Sequence, residues 1–187
     1  MGTRYAAIIA GLFFSASVLA AEGGGKLKVV PTKLFAVESV KVSQTKDGKQ
    51  KIVAELTNFE KAAALPSEGP FEVFVKPKGG IPVRVAEKLT VKSTETHELK
   101  IGDLLGSVEV FGDNFARAAT VVLTDLKDDG PGEKGHVAIQ VAKEYRVEMA
   151  VPPGMYAVWV VPDNGAKPQK VVENVRVQAG RSTRVGD

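Results

Sequence analysis

The sequence predicts an all-β protein: two tandem small antiparallel β-sandwich domains behind an N-terminal signal peptide. Three observations lead there. Short segments alternate apolar and polar residues along most of the chain. Clusters of Gly, Pro, Asn and Asp punctuate them, as turns require. A block beginning at Gly69 recurs beginning at Gly154, with its glycine, aromatic and proline positions in the same order.

The first element is not part of the fold. Arg4 is the only charge before Glu22, and an apolar stretch runs from Ala6 to Leu19, broken only by Gly11, Ser15 and Ser17. It closes on Val18-Leu19-Ala20-Ala21, ahead of Gly23-Gly24-Gly25. A positive start, a short apolar middle and a small-residue end form a secretory signal, here residues 1–20, and imply a periplasmic or secreted protein. The stretch falls short of the roughly 20 apolar residues that a spanning helix needs, and no later stretch supplies them. No cysteine follows the cleavage point to take a lipid. The triple glycine reads as a flexible linker.

The strands follow in order. Val40-Lys41-Val42, Ile52–Leu56, Phe71–Val75, Val83-Arg84-Val85 and Leu89-Thr90-Val91 show the period of two expected when one sheet face is buried. So do Val108-Glu109-Val110, His136–Val141 and Val175-Arg176-Val177. Thr120–Thr124 is apolar without alternation and reads as a strand covered on both faces. Lys46-Asp47-Gly48-Lys49 reads as a hairpin turn. Short helical turns are expected at Asn58–Ala64 and Ile101–Leu105.

The repeat aligns Gly69-Pro70-Phe71-Glu72-Val73-Phe74-Val75-Lys76-Pro77 with Gly154-Met155-Tyr156-Ala157-Val158-Trp159-Val160-Val161-Pro162. A turn follows each, and after a one-residue offset Glu87–Val91 matches Glu173–Val177. Ser93-Thr94 then stands where the second copy has Ala179-Gly180. Two domains are expected, residues 21–103 and 104–187, joined near Gly102–Gly106.

Residues 151–185 carry a resemblance. Val151-Pro152-Pro153-Gly154-Met155-Tyr156, the strand to Pro162, and Val175-Arg176-Val177-Gln178-Ala179-Gly180 resemble the end of a transthyretin-like (carboxypeptidase regulatory-like) sandwich domain. Residues 69–99 resemble it more loosely. The resemblance implies an Ig-like antiparallel sandwich that serves as an accessory or binding module in exported proteins. It transfers no active site, because that family has no common one.

Composition narrows the function. The net charge of +3 becomes +2 once Arg4 is removed with the signal, and acidic and basic residues are interspersed. Nucleic-acid binders gather basic charge on one face, so no nucleic acid is expected. With no cysteine, there is neither a disulfide framework nor a thiolate for catalysis or metal binding.

Two sets of residues stand out. Phe74 and Trp159 occupy matching places on the outward face of their strands. They either fill a second layer of core or the contact between domains, or they mark a partner-binding surface. Asp125, Asp128, Asp129 and Glu133 share one Gly-containing loop, a composition that can hold calcium. Against an EF-hand loop begun at Asp125, however, Lys127 and His136 occupy ligand positions, and Asp-Asp-Gly-Pro-Gly is also ordinary turn chemistry. No Gly-x-Ser-x-Gly elbow and no phosphate-binding glycine loop occur. The expectation is a non-enzymatic exported binding protein without a cofactor, whose partner is an envelope protein or surface polymer. A structural, adhesin-type assembly protein is one alternative. A carbohydrate-binding module or glycan-active enzyme is the other.

Overall fold

The computed structural model describes residues 24–66, 69–112, 118–128, 130–131, 136–141, 146–162 and 164–186. The signal peptide expected at 1–20 lies outside them. The described chain is all-β, with one 3-10 turn at Ile101–Asp103. The first half holds β1 (Lys26–Val30), β2 (Val37–Lys46), β3 (Lys49–Leu56), β4 (Ala63–Ala64), β5 (Phe71–Pro77), β6 (Val83–Leu89) and β7 (Thr96–Lys100). The second holds β8 (Gly106–Phe111), β9 (Ala118–Asp125), β10 (His136–Val141), β11 (Arg146–Val151), β12 (Gly154–Pro162), β13 (Gln169–Val177) and β14 (Ser182–Val185).

The two halves repeat one topology. The first contains a four-stranded sheet in the order β3-β2-β5-β6 and a three-stranded sheet β4-β1-β7. The second contains β10-β9-β12-β13 and β11-β8-β14, so each strand takes the place of the one seven earlier. Registers match as well. Val40 faces Val75 and Val121 faces Val160, while Phe71 faces Leu89 and Tyr156 faces Val175. The apolar side chains facing inward form one core from Leu27, Val29, Val40, Val42, Phe71, Val73 and Val75, among others. A second forms from Val108, Val110, Val121, Leu123, Tyr156, Val158 and Val160. Each such burial removes apolar surface from water and contributes roughly 1.5–3 kcal/mol per large side chain.

The sandwiches are not wholly antiparallel. β1 runs parallel to β7 and β8 runs parallel to β14. The period-two reading misses most of these strands, because β4 spans two residues and β7 buries only Leu99. No helical turn forms at Asn58–Ala64. There the Asn58 side chain accepts the Glu60 N–H at 2.9 Å and the chain bends into β4. The turn at Ile101–Asp103 does form, and it leads directly from β7 to β8. Ile101 and Leu105 are fully buried in the first core, which Leu104 and, from the second half, Ala150 also touch.

Backbone geometry repeats where the sequence does not. Lys88 and Asn174 share a left-handed conformation, and so do Thr94 (φ 74°) and Gly180 (φ 70°). A β-branched residue in that region carries steric strain that glycine does not. Gly25 and Gly106 are likewise equivalent. A Cβ on Gly25 would collide with the Lys92 carbonyl oxygen and the Val91 side chain, and one on Gly106 with the Gln178 carbonyl oxygen and the Val177 side chain. Gly25 is therefore a packing position rather than a linker residue, and its carbonyl accepts the Leu65 N–H at 2.9 Å.

Two substitutions test this equivalence. Thr94→Gly is expected to stabilise the protein by up to about 1 kcal/mol, the relieved strain exceeding the added chain entropy. Gly106→Ala is expected to destabilise it by about 2–3 kcal/mol through overpacking. Urea unfolding measures both; a destabilising Thr94→Gly contradicts the strain argument.

Candidate functional site

The outer faces of the two four-stranded sheets differ, although the scaffold beneath is the same. In the first repeat the outer residues of β2 and β5 are Lys41, Ser43, Glu72, Phe74 and Lys76. Charges there are satisfied within the face. Lys76 bonds Glu38 at 2.6 Å, Lys41 lies 3.5 Å from Glu55, and Arg84 reaches Glu72 at 3.5 Å and Glu87 at 2.5 Å. Gln50 ties Ser43 to Glu72. Phe74 is half-buried among them.

By register, Val122, Thr124, Ala157, Trp159 and Val161 hold the corresponding places in the second repeat. Val122 and Ala157 are each 1 % exposed, and Trp159 is 8 % exposed. These three form a separate apolar cluster, with Val161 packed against it. The indole N–H of Trp159 donates to Thr124 Oγ1 at 2.9 Å, which satisfies its one polar atom. Lys170 takes the place of Arg84 and lies over the ring, 5.1 Å from its centroid. A Cβ at Gly130 would lie 3.9 Å from the far edge of the indole, so Gly130 sits against this face. Phe74 and Trp159 are thus equivalent in the repeat but lie in different sheets. Trp159 fills a second apolar layer.

That layer opens at one end. Met155, on the same face of β12 as Trp159, is 40 % exposed. Leu126, immediately after Asp125 at the end of β9, is 39 % exposed. Asp125 faces Tyr156 in the sheet, so both apolar side chains lie at one end of it. Arg176 stands opposite Met155. Of the four large apolar residues exposed among the described residues, Leu126, Met155 and Val171 belong to this sheet or its loop; only Ile52 lies in the first repeat.

The acidic loop divides. Asp125 Oδ1 accepts the Lys127 N–H at 3.2 Å and its carbonyl accepts the Asp128 N–H at 3.1 Å, so Asp125 shapes a turn. Asp129 and Glu133 lie outside the described residues. Among the described residues no group of three metal-ligating side chains assembles. Beneath the loop the Tyr156 hydroxyl donates to the Pro152 carbonyl at 2.7 Å. Burial, with a smaller contribution from the Asp125 charge, pushes the phenol up to about 12.

The other polar cluster is self-contained. On the three-stranded sheet of the second repeat, buried Glu109 accepts from Arg146 at 2.8 Å and Arg184 at 3.1 Å. Burial raises the neighbouring Glu148 carboxyl; Arg146 opposes this and Glu109 adds to it.

No family model matches the chain and no curated protein matches it. The solved structures similar to it include the TIE protein of Bacillus anthracis, at 17 % identity and a TM-score of 0.32, over 89 % of this chain and 34 % of that one. A leucine-rich repeat protein from Bacteroides thetaiotaomicron matches at 14 % identity and a TM-score of 0.24, over 89 % of this chain and 26 % of that one. A candidate adhesin from Bacteroides ovatus matches at 9 % identity and a TM-score of 0.34, over 97 % and 98 %. The chain thus spans about a third and a quarter of the first two proteins. Scores of this size assign neither a family nor a function.

Two measurements probe the site. Trp159→Ser is expected to cost roughly 3–5 kcal/mol in urea unfolding, as for a buried ring, and Phe74→Ser about 1 kcal/mol, as for a half-covered one. A near-neutral Trp159→Ser removes the second layer. The raised Tyr156 pKa favours the neutral phenol in the folded state. That contribution is complete below the ordinary phenol value of about 10 and is lost as pH rises through about 12. Stability of the native protein is expected to fall through this window more steeply than that of Tyr156→Phe. Parallel curves count against the buried phenol.

Proposed function

We propose that this protein is an exported, non-enzymatic binding protein whose recognition surface lies on the outer face of its second sandwich. One observation carries the reading. Two copies of the same scaffold differ in that face: the first is charged and paired with itself, and the second is apolar and ends in exposed Met155 and Leu126. Sheet stability does not require an apolar outer face, since the first repeat does without one. Exposed apolar groups at the margin of such a face are a feature of surfaces that dock partners.

The pattern of residues 1–21 supports export. The motif at residues 151–185 supports placing the second repeat with transthyretin-like accessory modules, and the strand order shared by the two repeats extends this to the first. The Trp159 ring is buried and Tyr156 belongs to the inner core, which disfavours a sugar-stacking platform on this face. An envelope protein is the partner this surface fits best.

The purified protein, immobilised, is expected to retain a specific partner from an envelope extract. Met155→Glu and Leu126→Glu are expected to reduce that capture at least tenfold, about 1.4 kcal/mol, without changing the melting temperature. Capture indifferent to both substitutions overturns the reading. So does a hydrolytic activity abolished by one carboxylate or histidine substitution.

A further inference from the structure

We infer that the open cleft beside the β13–β14 turn binds an acidic peptide segment, gripping its carboxylates with Arg176 and Arg181. The inference rests on the proposed binding role and specifies the chemistry of the partner.

The turn is a fixed platform. β13 ends at Val177 and β14 begins at Ser182. Between them Gly180 adopts its left-handed conformation and its N–H donates to the Leu105 carbonyl at 3.0 Å. The Arg181 N–H donates to the Gln178 carbonyl at 3.3 Å, and Thr183 Oγ1 donates to the Arg176 carbonyl at 3.0 Å. The backbone carrying both arginines is thereby held to the segment that joins the two repeats and to β14. A cleft of about 610 Å³ lies against it, lined by Met155, Arg176, Gln178, Ala179 and Arg181 among others.

The charge in the cleft is uncompensated. Five arginines lie among the described residues. Arg84, Arg146 and Arg184 each sit on a carboxylate. Arg176 and Arg181 have no ion-pair partner there, and both line this cleft, which no Asp or Glu lines among the described residues. The scaffold does not demand them, because the corresponding positions in the first repeat are Thr90 and Glu95. The cleft near the same end of the first repeat is smaller, about 230 Å³, and is lined by Glu72 and Glu87 with Lys88. The first repeat has Lys92 where the second has Gln178, but Glu95 stands where Arg181 does, so the pair of guanidinium groups is particular to the second repeat.

Chemistry selects the occupant. A guanidinium offers a planar pair of donors that matches a carboxylate, and two of them beside the Gln178 amide suit adjacent acidic side chains. Arg176 lies opposite the exposed Met155, whose flexible thioether suits an aliphatic side chain next to a carboxylate. A peptide with alternating acidic and aliphatic residues meets both demands. An acidic polysaccharide meets only the first. The cleft is open to solvent, which suits a chain laid across it.

The test is fluorescence anisotropy of a short labelled peptide of alternating Glu and Leu, with a Lys–Leu peptide, a Glu-only peptide and an oligouronate as comparators. The Glu–Leu peptide is expected to bind the native protein, more weakly as salt screens the charges. Arg176→Gln and Arg181→Gln are each expected to weaken binding about tenfold, and the double substitution to remove it. Arg84→Gln is expected to leave it unchanged. Met155→Ser is expected to weaken the Glu–Leu peptide but not the Glu-only one. No binding of the Glu–Leu peptide, or binding unchanged in the double variant, overturns the inference. An oligouronate that binds as tightly with the same arginine dependence assigns the cleft to polysaccharide and also overturns it. Envelope capture that depends on Met155 and Leu126 but survives the double arginine substitution overturns the cleft while leaving the binding role standing. Absence of any envelope partner fails the binding role itself.

Discussion

Each repeat is closed by its own first strand. β1 lies between β4 and β7, and β8 between β11 and β14, so the three-stranded layer of each sandwich is assembled around the strand that opens it. A parallel pair cannot be joined by a tight turn. Here five intervening strands separate the partners, so the pairing closes a long loop at an entropic cost. With no cysteine in the chain, no disulfide can hold that closure. It depends on Leu27 and Val29, or Val108 and Val110, reaching the core. The glycine before them lets the backbone pass beneath a carbonyl of the β6–β7 or β13–β14 turn, where no Cβ fits.

This constraint explains which features persist between the repeats and which do not. Gly25 and Gly106 persist because space forces them. The left-handed turn persists in geometry while its residue changes from Thr94 to Gly180, because the turn is forced and the side chain is only disfavoured. Charge is freer still. Lys28 faces Glu98 across the β1–β7 pair, 3.4 Å apart, and Glu109 faces Arg184 across β8–β14 with the signs exchanged. The register favours opposite charges at this cross-strand position and is indifferent to which strand carries which.

The same hierarchy set what was legible in the sequence. The four-stranded sheets could be read because β2, β5, β9 and β12 bury one face or both over four or more residues. The hairpin at Asp47-Gly48 could be read because both residues adopt the left-handed conformation their identities favour. The three-stranded sheets could not, apart from β8. Their strands are short, and their partners are distant, so period and length carry little signal. Gly25 looked like part of a flexible run because its restraint comes from Lys92 and Val91, far along the chain. Alternation puts Trp159 on the outward face of β12, whereas its burial comes from tertiary packing that no local pattern announces. The cleft at Arg176 and Arg181 was missed because unpaired arginines are recognisable only once the partners of the others are known.

A duplicated scaffold offers an internal control that a single domain lacks. Residues shared by both repeats answer to folding, since folding is what the repeats have in common. Inner-face valines, the closing glycines and the forced turns fall in that class. Differences at equivalent, structurally tolerant positions are where any specific role must lie. The outer face of the second four-stranded sheet exchanges Lys41 for Val122, Glu72 for Ala157 and Lys76 for Val161. That replaces three charges of a paired, water-facing network with the apolar side chains of a covered layer. The exchange removes the polar outer face that keeps an open sheet solvated. It leaves Leu126 and Met155 partly uncovered, Met155 opposite Arg176, which has no ion-pair partner among the described residues. Folding gains nothing obvious from that margin, because the first repeat is built without it. The margin, rather than the buried tryptophan behind it, is the part of the molecule on which a binding function would act.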